Sequence, residues 1–190
     1  MDVFYRNSQV HKQHEHSPQT RPLISGSGSI TENIAIFVEH HLKHIANKHD
    51  TYLQDTPDFL RRVEEINQGP RLDPKIVLCT WDEVGLFTNI AHDEGIEVMQ
   101  EKHDKRSNPK VPTDFLVALM EIILNENIFE FLNSYWKQKN GAAMGSPPIP
   151  HYANLFMTKI DKQIRNLAKK YNEKESEALA MLKRFLDDYI

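Results

Sequence analysis

The chain has 190 residues, a formal net charge of −4 and 39% hydrophobic residues, enough for one compact core or two small lobes that share one. No apolar run approaches the length of a membrane span and the start is polar and His-rich, so the sequence reads as soluble, unanchored and not secreted, with a nuclear or cytoplasmic location. The single cysteine, Cys79, excludes disulfides and fits a reducing compartment.

In chain order, residues 1 to about 20 are polar, with His11, His14 and His16 but no apolar periodicity, and read as a loop. Arg21 to Ser25 is a short extended segment, followed by the flexible run Gly26-Ser-Gly-Ser. Ser29-x-x-Glu32 has the pattern of a capping box ahead of Ile34, Phe37, Val38, Leu42 and Ile45, which share one helix face. A second helix should start at Thr56-Pro57 and turn Phe59, Leu60, Val63 and Ile66 inward. Gly69-Pro70 and Asp73-Pro74 interrupt the chain before Lys75-Ile-Val-Leu-Cys-Thr-Trp81, a β-branched apolar run that reads as a buried strand ending at Asp82. Cys79 is then a small hydrophobe in the core. Helices are expected at about 93–104 and 113–125, the second capped by Thr113 and carrying Phe115, Leu116, Leu119 and Ile122. Ile128 to Lys139 is aromatic-rich and strand-like. A Gly- and Pro-rich loop, Gln138 to Pro150, leads into a long helix with Tyr152, Leu155, Phe156, Ile160, Ile164 and Leu167 on its apolar side. The last strand carries Phe185-Leu186-Asp187-Asp188.

An Asp-Asp pair is usually a solvated turn. Its meaning changes if Asp82 is delivered to the same point by a second strand, because three converging carboxylates repel one another unless cations lie between them. Hard oxygen ligands of this kind suit Mg²⁺, which binds through one or two carboxylates plus substrate phosphates. Two such ions are what in-line phosphoryl transfer uses. A loop with Gly141 and Gly145 permits close backbone approach to a ligand.

The ordered set Asp82…Thr88-Asn89-Ile90, Gln138-x-x-Gly141-x-x-Met144-Gly145-Ser146-Pro147-x-x-Pro150-x-Tyr152-Ala153-Asn154-Leu155-Phe156 and Phe185-x-Asp187-Asp188 resembles the palm of a reverse transcriptase. Thr88-Asn89-Ile90-Ala91-His92-Asp93-Glu94-Gly95 resembles the run past the first catalytic aspartate in Penelope-like retroelements. Arg21-Pro22-Leu23-Ile24-Ser25-Gly26-Ser27-Gly28-Ser29 and the His11-Lys12 pair resemble that family's fingers segment.

The resemblance implies an α+β fold with a split β-α-β, ferredoxin-like palm over residues 75–190 and a partial helical fingers part over 1–74, with about 92–133 packing on the fingers side. It implies an RNA-directed DNA polymerase that takes an RNA template, a DNA primer and deoxynucleoside triphosphates, with two Mg²⁺ ions, or Mn²⁺ in their place. Asp82, Asp187 and Asp188 are the implied catalytic metal ligands, joined by the Glu83 backbone carbonyl. Arg21 is implied to hold the triphosphate and Phe87 to lie under the incoming sugar, while Gln138, Gly141, Met144 and Gly145 line the floor beneath nucleotide and template.

Several departures bear on activity rather than fold. Gln9 stands where relatives carry a lysine, Ala91 where they carry a proline, and Pro148-Ile149 where they carry a Met-Ala type pair. A non-catalytic, decayed or domesticated remnant acting as a binding module is therefore the alternative. A metal-dependent phosphohydrolase is a third reading, disfavoured because it has no use for a templating floor. The net negative charge is unusual for a nucleic-acid grip. It leads to the expectation of a fragment that stops before a thumb, binds Mg²⁺ weakly and synthesises little processively.

Overall fold

The computed structural model describes residues 2–8, 20–72, 74–75, 77–106, 110–171, 181–186 and 188–190, with the backbone alone at 2–3, 5–8, 20–22, 168 and 171. In chain order the elements are β1 (Asp2–Ser8), β2 (Thr20–Ser25), α1 (Glu32–Ala46), α2 (Thr56–Gln68), β3 (Trp81–Asp82), α3 (Leu86–Asn89), α4 (His92–Asp104), α5 (Thr113–Asn125), β4 (Ile128–Phe131), β5 (Ser134–Lys137), α6 (Ile149–Tyr171), β6 (Arg184–Phe185) and β7 (Asp188–Tyr189). The fold is a mixed α+β arrangement with six helices among the described residues and two small sheets, ordered β2-β1-β4-β5 and β3-β7-β6.

The core forms where α6 packs against α1 and α4, and α5 packs on those two helices in turn. Val38 and Leu42 of α1, Met99 of α4, Leu116 and Met120 of α5, and Tyr152, Leu155 and Met157 of α6 are all buried. The long helix expected after Pro150 is α6. Its first half is buried on more than one side, since α1, α3 and α4 all lie against it. Leu167, expected on the same apolar side, is 54% exposed because it lies beyond those neighbours.

Four expectations are corrected. Residues 2–8 are not a loop but strand β1, antiparallel to β2 and parallel to β4. Backbone pairing on both edges holds this segment, and Phe4 stacks on Phe129 with ring centroids 5.4 Å apart. Residues 9–19, with His11, Lys12, His14 and His16, lie outside the described residues. The run 75–81 is not a buried strand either: among its described residues only Trp81 joins a ladder, Val77 and Leu78 are largely exposed, and Cys79 is exposed. The β3 ladder is two residues long, and no described layer covers the segment before it. In α2 the start at Thr56 is as expected, with Asp55 capping through Asp58 N–H at 2.8 Å. Its apolar face is not inward, since Leu60 is 60% exposed and no residue of the helix is buried.

The fourth correction concerns helix ends and faces. Glu32 does not close a capping box with Ser29; its carboxylate accepts from Gly28 N–H at 2.9 Å, and the helix begins after Thr31. Thr113 opens α5 without capping it. The buried face of α5 is Leu116, Met120, Ile123 and Leu124, whereas Phe115 and Ile122 face outward. The aromatic-rich stretch forms the β4–β5 hairpin, whose turn residues Leu132 and Asn133 both take positive φ (51° and 56°), as a two-residue primed turn requires.

His103 of α4 is fully buried, and neither ring nitrogen has a hydrogen-bond partner among the described residues. Burial, and then the neighbouring Arg106 and His41, push its pKa down from 6.5 to about 4, with Asp104 opposing. The unfolded chain takes up this proton first as pH falls. The stability contributed by neutral His103 is therefore complete above about pH 6.5 and is lost as pH falls toward 4, by at most about 3 kcal/mol. Urea unfolding at pH 7.5 and pH 5 should show this loss, and His103→Leu should remove a large part of it. An unchanged pH dependence in that variant would exclude His103 as the cause.

Candidate active site

Asp82 and Asp188 meet in the three-stranded sheet. β3 pairs with β7 in antiparallel register, Trp81 opposite Tyr189 and Asp82 opposite Asp188. Side chains alternate along a strand, so the two pairs project to opposite faces. On one face Trp81 and Tyr189 stack, with ring centroids 4.7 Å apart and planes 14° apart, and Tyr189 is buried. On the other, Asp82 and Asp188 are exposed as direct cross-strand neighbours. Such neighbours have Cβ atoms about 5 Å apart, and like charges there destabilise the pair by a few tenths to about 1 kcal/mol.

The hairpin that carries Asp188 is β6–β7, with Phe185 opposite Asp188 and Leu186 in the turn at φ 53°. Asp187, the third expected ligand, lies outside the described residues. Among the described residues no cluster of three or more ligating side chains is assembled. The two opposed carboxylates are a hard-oxygen donor set, and a cation between them would offset their repulsion, so the residues present fit Mg²⁺ or Mn²⁺.

Beyond Asp82 the chain passes through Glu83, which is exposed, and turns at Gly85 into the single-turn helix α3. That helix presents Phe87, half-buried at the edge of the core. The Gly-rich loop then docks on α3. Ala142 N–H donates to the Phe87 carbonyl at 2.7 Å, and His92 Nε2–H donates to the Gly141 carbonyl at 2.7 Å. Gly141 has φ +70°, and a Cβ there would lie 2.7 Å from the Phe87 carbonyl oxygen and from Thr88 Cα and O. Only glycine fits this approach.

Four residues on, Gly145 bridges to Ser25 of β2, and a Cβ there would lie 2.1 Å from the Ile24 carbonyl oxygen. The loop therefore joins the helix that carries Phe87 to the strand that carries Arg21, whose backbone pairs with Asn7 and whose side chain is not described. Met144 is half-buried between the two contacts. Gln138 is held at both ends: its Oε1 accepts from Asn127 Nδ2 at 2.7 Å, and its Nε2 donates to the Asn140 carbonyl at 2.9 Å.

Sequence reasoning missed three residues behind this surface. His92 lay in the quoted motif without a role, and it fastens the Gly141 carbonyl. Arg184 and Asp161 are both 1% exposed and form a buried ion pair beneath the hairpin. Tyr189 OH donates to Asp161 at 2.6 Å. Burial, and then that hydrogen bond, push the Tyr189 phenol well above its ordinary pKa, so it remains a donor. The only sequence signal is an arginine inside a short apolar strand, where an unpaired charge would be costly.

No helix among the described residues is long and apolar enough to cross a membrane. No protein-family model and no curated protein matches the sequence. Among solved structures, a telomerase from Candida tropicalis, apo and truncated from its C-terminal domain, superposes with a TM-score of 0.61 at 10% identity, covering 99% of this chain. The chain spans 42% of the length of that telomerase chain. At this identity the likeness is one of fold: the chain shares its mixed α+β architecture with part of that telomerase chain.

Proposed function

We infer that this chain is the fingers and palm of an RNA-directed DNA polymerase of the Penelope-like retroelement type, adding deoxynucleotides to a primer 3′-OH. The observation that carries the reading is the register that sets Asp82 directly opposite Asp188 on an exposed face. The docking of Gly141 and Ala142 on Phe87 and the fold shared with telomerase support it.

Asp82 and Asp188, with Asp187, would hold the divalent cations, and the Glu83 carbonyl would add a further oxygen ligand. Two Mg²⁺ ions, when bound, supply positive charge at the attacking and leaving oxygens of an in-line transfer. Phe87 lies under the sugar of the incoming nucleotide, and Arg21 grips its triphosphate with a guanidinium fork. Gly141, Met144 and Gly145 form the floor, which Gln138 braces. Residues to about 74 form the fingers part and 75–190 the palm, with about 92–133 packed on the fingers side.

The test is single-nucleotide incorporation on an RNA template with a DNA primer and Mg²⁺, using excess protein at low salt so that processivity is not required. Addition of the template-complementary deoxynucleotide, absent in Asp82→Asn, is expected. No addition by the parent chain would contradict the reading. In the same assay Phe87→Ala should lower the preference for deoxy- over ribonucleotides by about ten- to a hundredfold, because the ring is the barrier to a 2′-hydroxyl. Undiminished discrimination would remove that role from Phe87.

A further inference from the structure

We propose that Arg184 is a positioning residue for the cation site, fixing the carbonyl of Leu186 immediately ahead of the aspartate pair; this rests on the polymerase reading above. The guanidinium has five N–H donors in a fixed fork, and each meets an acceptor. Nη1 donates to the Leu186 carbonyl and to Asn154 Oδ1, both at 2.7 Å. Nη2 donates to the Asn154 carbonyl at 3.2 Å and to Asp161 Oδ2 at 3.4 Å, and Nε donates to Asp161 Oδ1 at 3.4 Å. A buried cation is tolerated only when satisfied in this way.

The fork is itself immobilised. Asp161 also accepts from Tyr189 OH at 2.6 Å and from Thr51 Oγ1 at 2.7 Å. Thr51 in turn accepts from His49 Nδ1 at 2.8 Å. The Arg184 backbone is clamped on the edge away from β7, its N–H donating to the Thr51 carbonyl at 2.7 Å and its carbonyl accepting from Leu53 N–H at 2.9 Å. Arg184 also lies over the Tyr189 ring, 5.8 Å from its centroid. The α1–α2 connection, α6 and both strands of the hairpin thus converge on one side chain.

What that side chain holds is a strained turn. Leu186 occupies the left-handed region, with φ 53°, which is unfavourable for a residue with a Cβ. The Arg184 contact stabilises this conformation from inside the protein. Groups that orient metal ligands in this indirect way change affinity by about ten- to a hundredfold when altered. Lysine at 184 would keep the charge near Asp161 but lack the fork that reaches both Asp161 and the Leu186 carbonyl.

The test is titration of the full chain with Mn²⁺ followed by electron paramagnetic resonance, at a temperature well below each variant's unfolding midpoint. The parent should bind Mn²⁺, Asp82→Asn should not, and folded Arg184→Lys should bind at least about tenfold more weakly. Asn154→Ala, which releases Nη1 on one side and leaves the ion pair intact, should weaken binding by a smaller factor, and it decides the matter if Arg184→Lys does not fold. A purely structural role would lower the unfolding midpoints and leave Mn²⁺ affinity in the folded variants within twofold of the parent, which would overturn the proposal. If the parent does not bind Mn²⁺, or Asp82→Asn binds as the parent does, the metal-site reading falls and this proposal with it.

Discussion

Gly141→Ala should lower the thermal midpoint by roughly 6–12 °C and raise the KM for deoxynucleotide more than tenfold. The new Cβ would stand 2.7 Å from three backbone atoms of Phe87 and Thr88, and backbone cannot yield as a flexible side chain end does. The left-handed φ of +70° adds about 1 kcal/mol of its own for alanine. Relief requires the loop to lift off α3. The Ala142 to Phe87 and His92 to Gly141 hydrogen bonds would then break, each contributing about 1 kcal/mol. The sum is about 3 kcal/mol, and each kcal/mol is about 2–4 °C for a domain of this size. Calorimetry and incorporation kinetics check the two effects separately. A variant with the parent's midpoint and KM would show that the loop does not depend on this approach.

Asp82→Asn should move activity and stability in opposite directions. Nucleotide incorporation should fall by on the order of a thousandfold or more, because a carboxylate that holds the charge-stabilising cations is gone. Without divalent cations, the same variant should be more stable than the parent. Asp82 and Asp188 are direct cross-strand neighbours, and neutralising one relieves a repulsion of a few tenths to about 1 kcal/mol. That corresponds to a rise of about 1–4 °C, measured in chelator. Millimolar Mg²⁺ should raise the parent's midpoint and leave the variant's unchanged. A variant less stable than the parent in chelator would mean that Asp82 has a structural partner instead of a repelling one.

The elements read correctly from sequence are those whose own pattern decides them. α4, α5 and α6 carry apolar residues at helical spacing, and Pro147 to Pro150 mark where the last can begin. The approach of β3 to the C-terminal aspartates follows from short apolar runs around carboxylates, although the expected single last strand is the β6–β7 hairpin that turns at Leu186. The glycine loop follows from residues that tolerate close backbone contact. Three features depended on partners that sequence does not name. β1 offers only the short run Val3-Phe4-Tyr5 beside a polar stretch, and its ladders with β2 and β4 extend it into a strand. Residues 77–80 look like a core strand, yet no described layer covers them, and their apolar side chains stay exposed. The apolar face of α2 is as amphipathic as expected and is exposed for the same reason. Arg184 shows the converse: a charge that reads as surface is buried, because Asp161 and Asn154 of α6 converge on it together with the nearby Leu186 carbonyl.

The most direct test of a cation held between β3 and β7 is backbone cleavage by hydroxyl radicals generated at Fe²⁺ substituted for Mg²⁺. Cuts should fall together near residues 82–83 and 185–189, and both should vanish in Asp82→Asn. Cuts in only one of these strands, or at the α1 histidines His40, His41 and His44, would contradict a cation shared by Asp82 and Asp188.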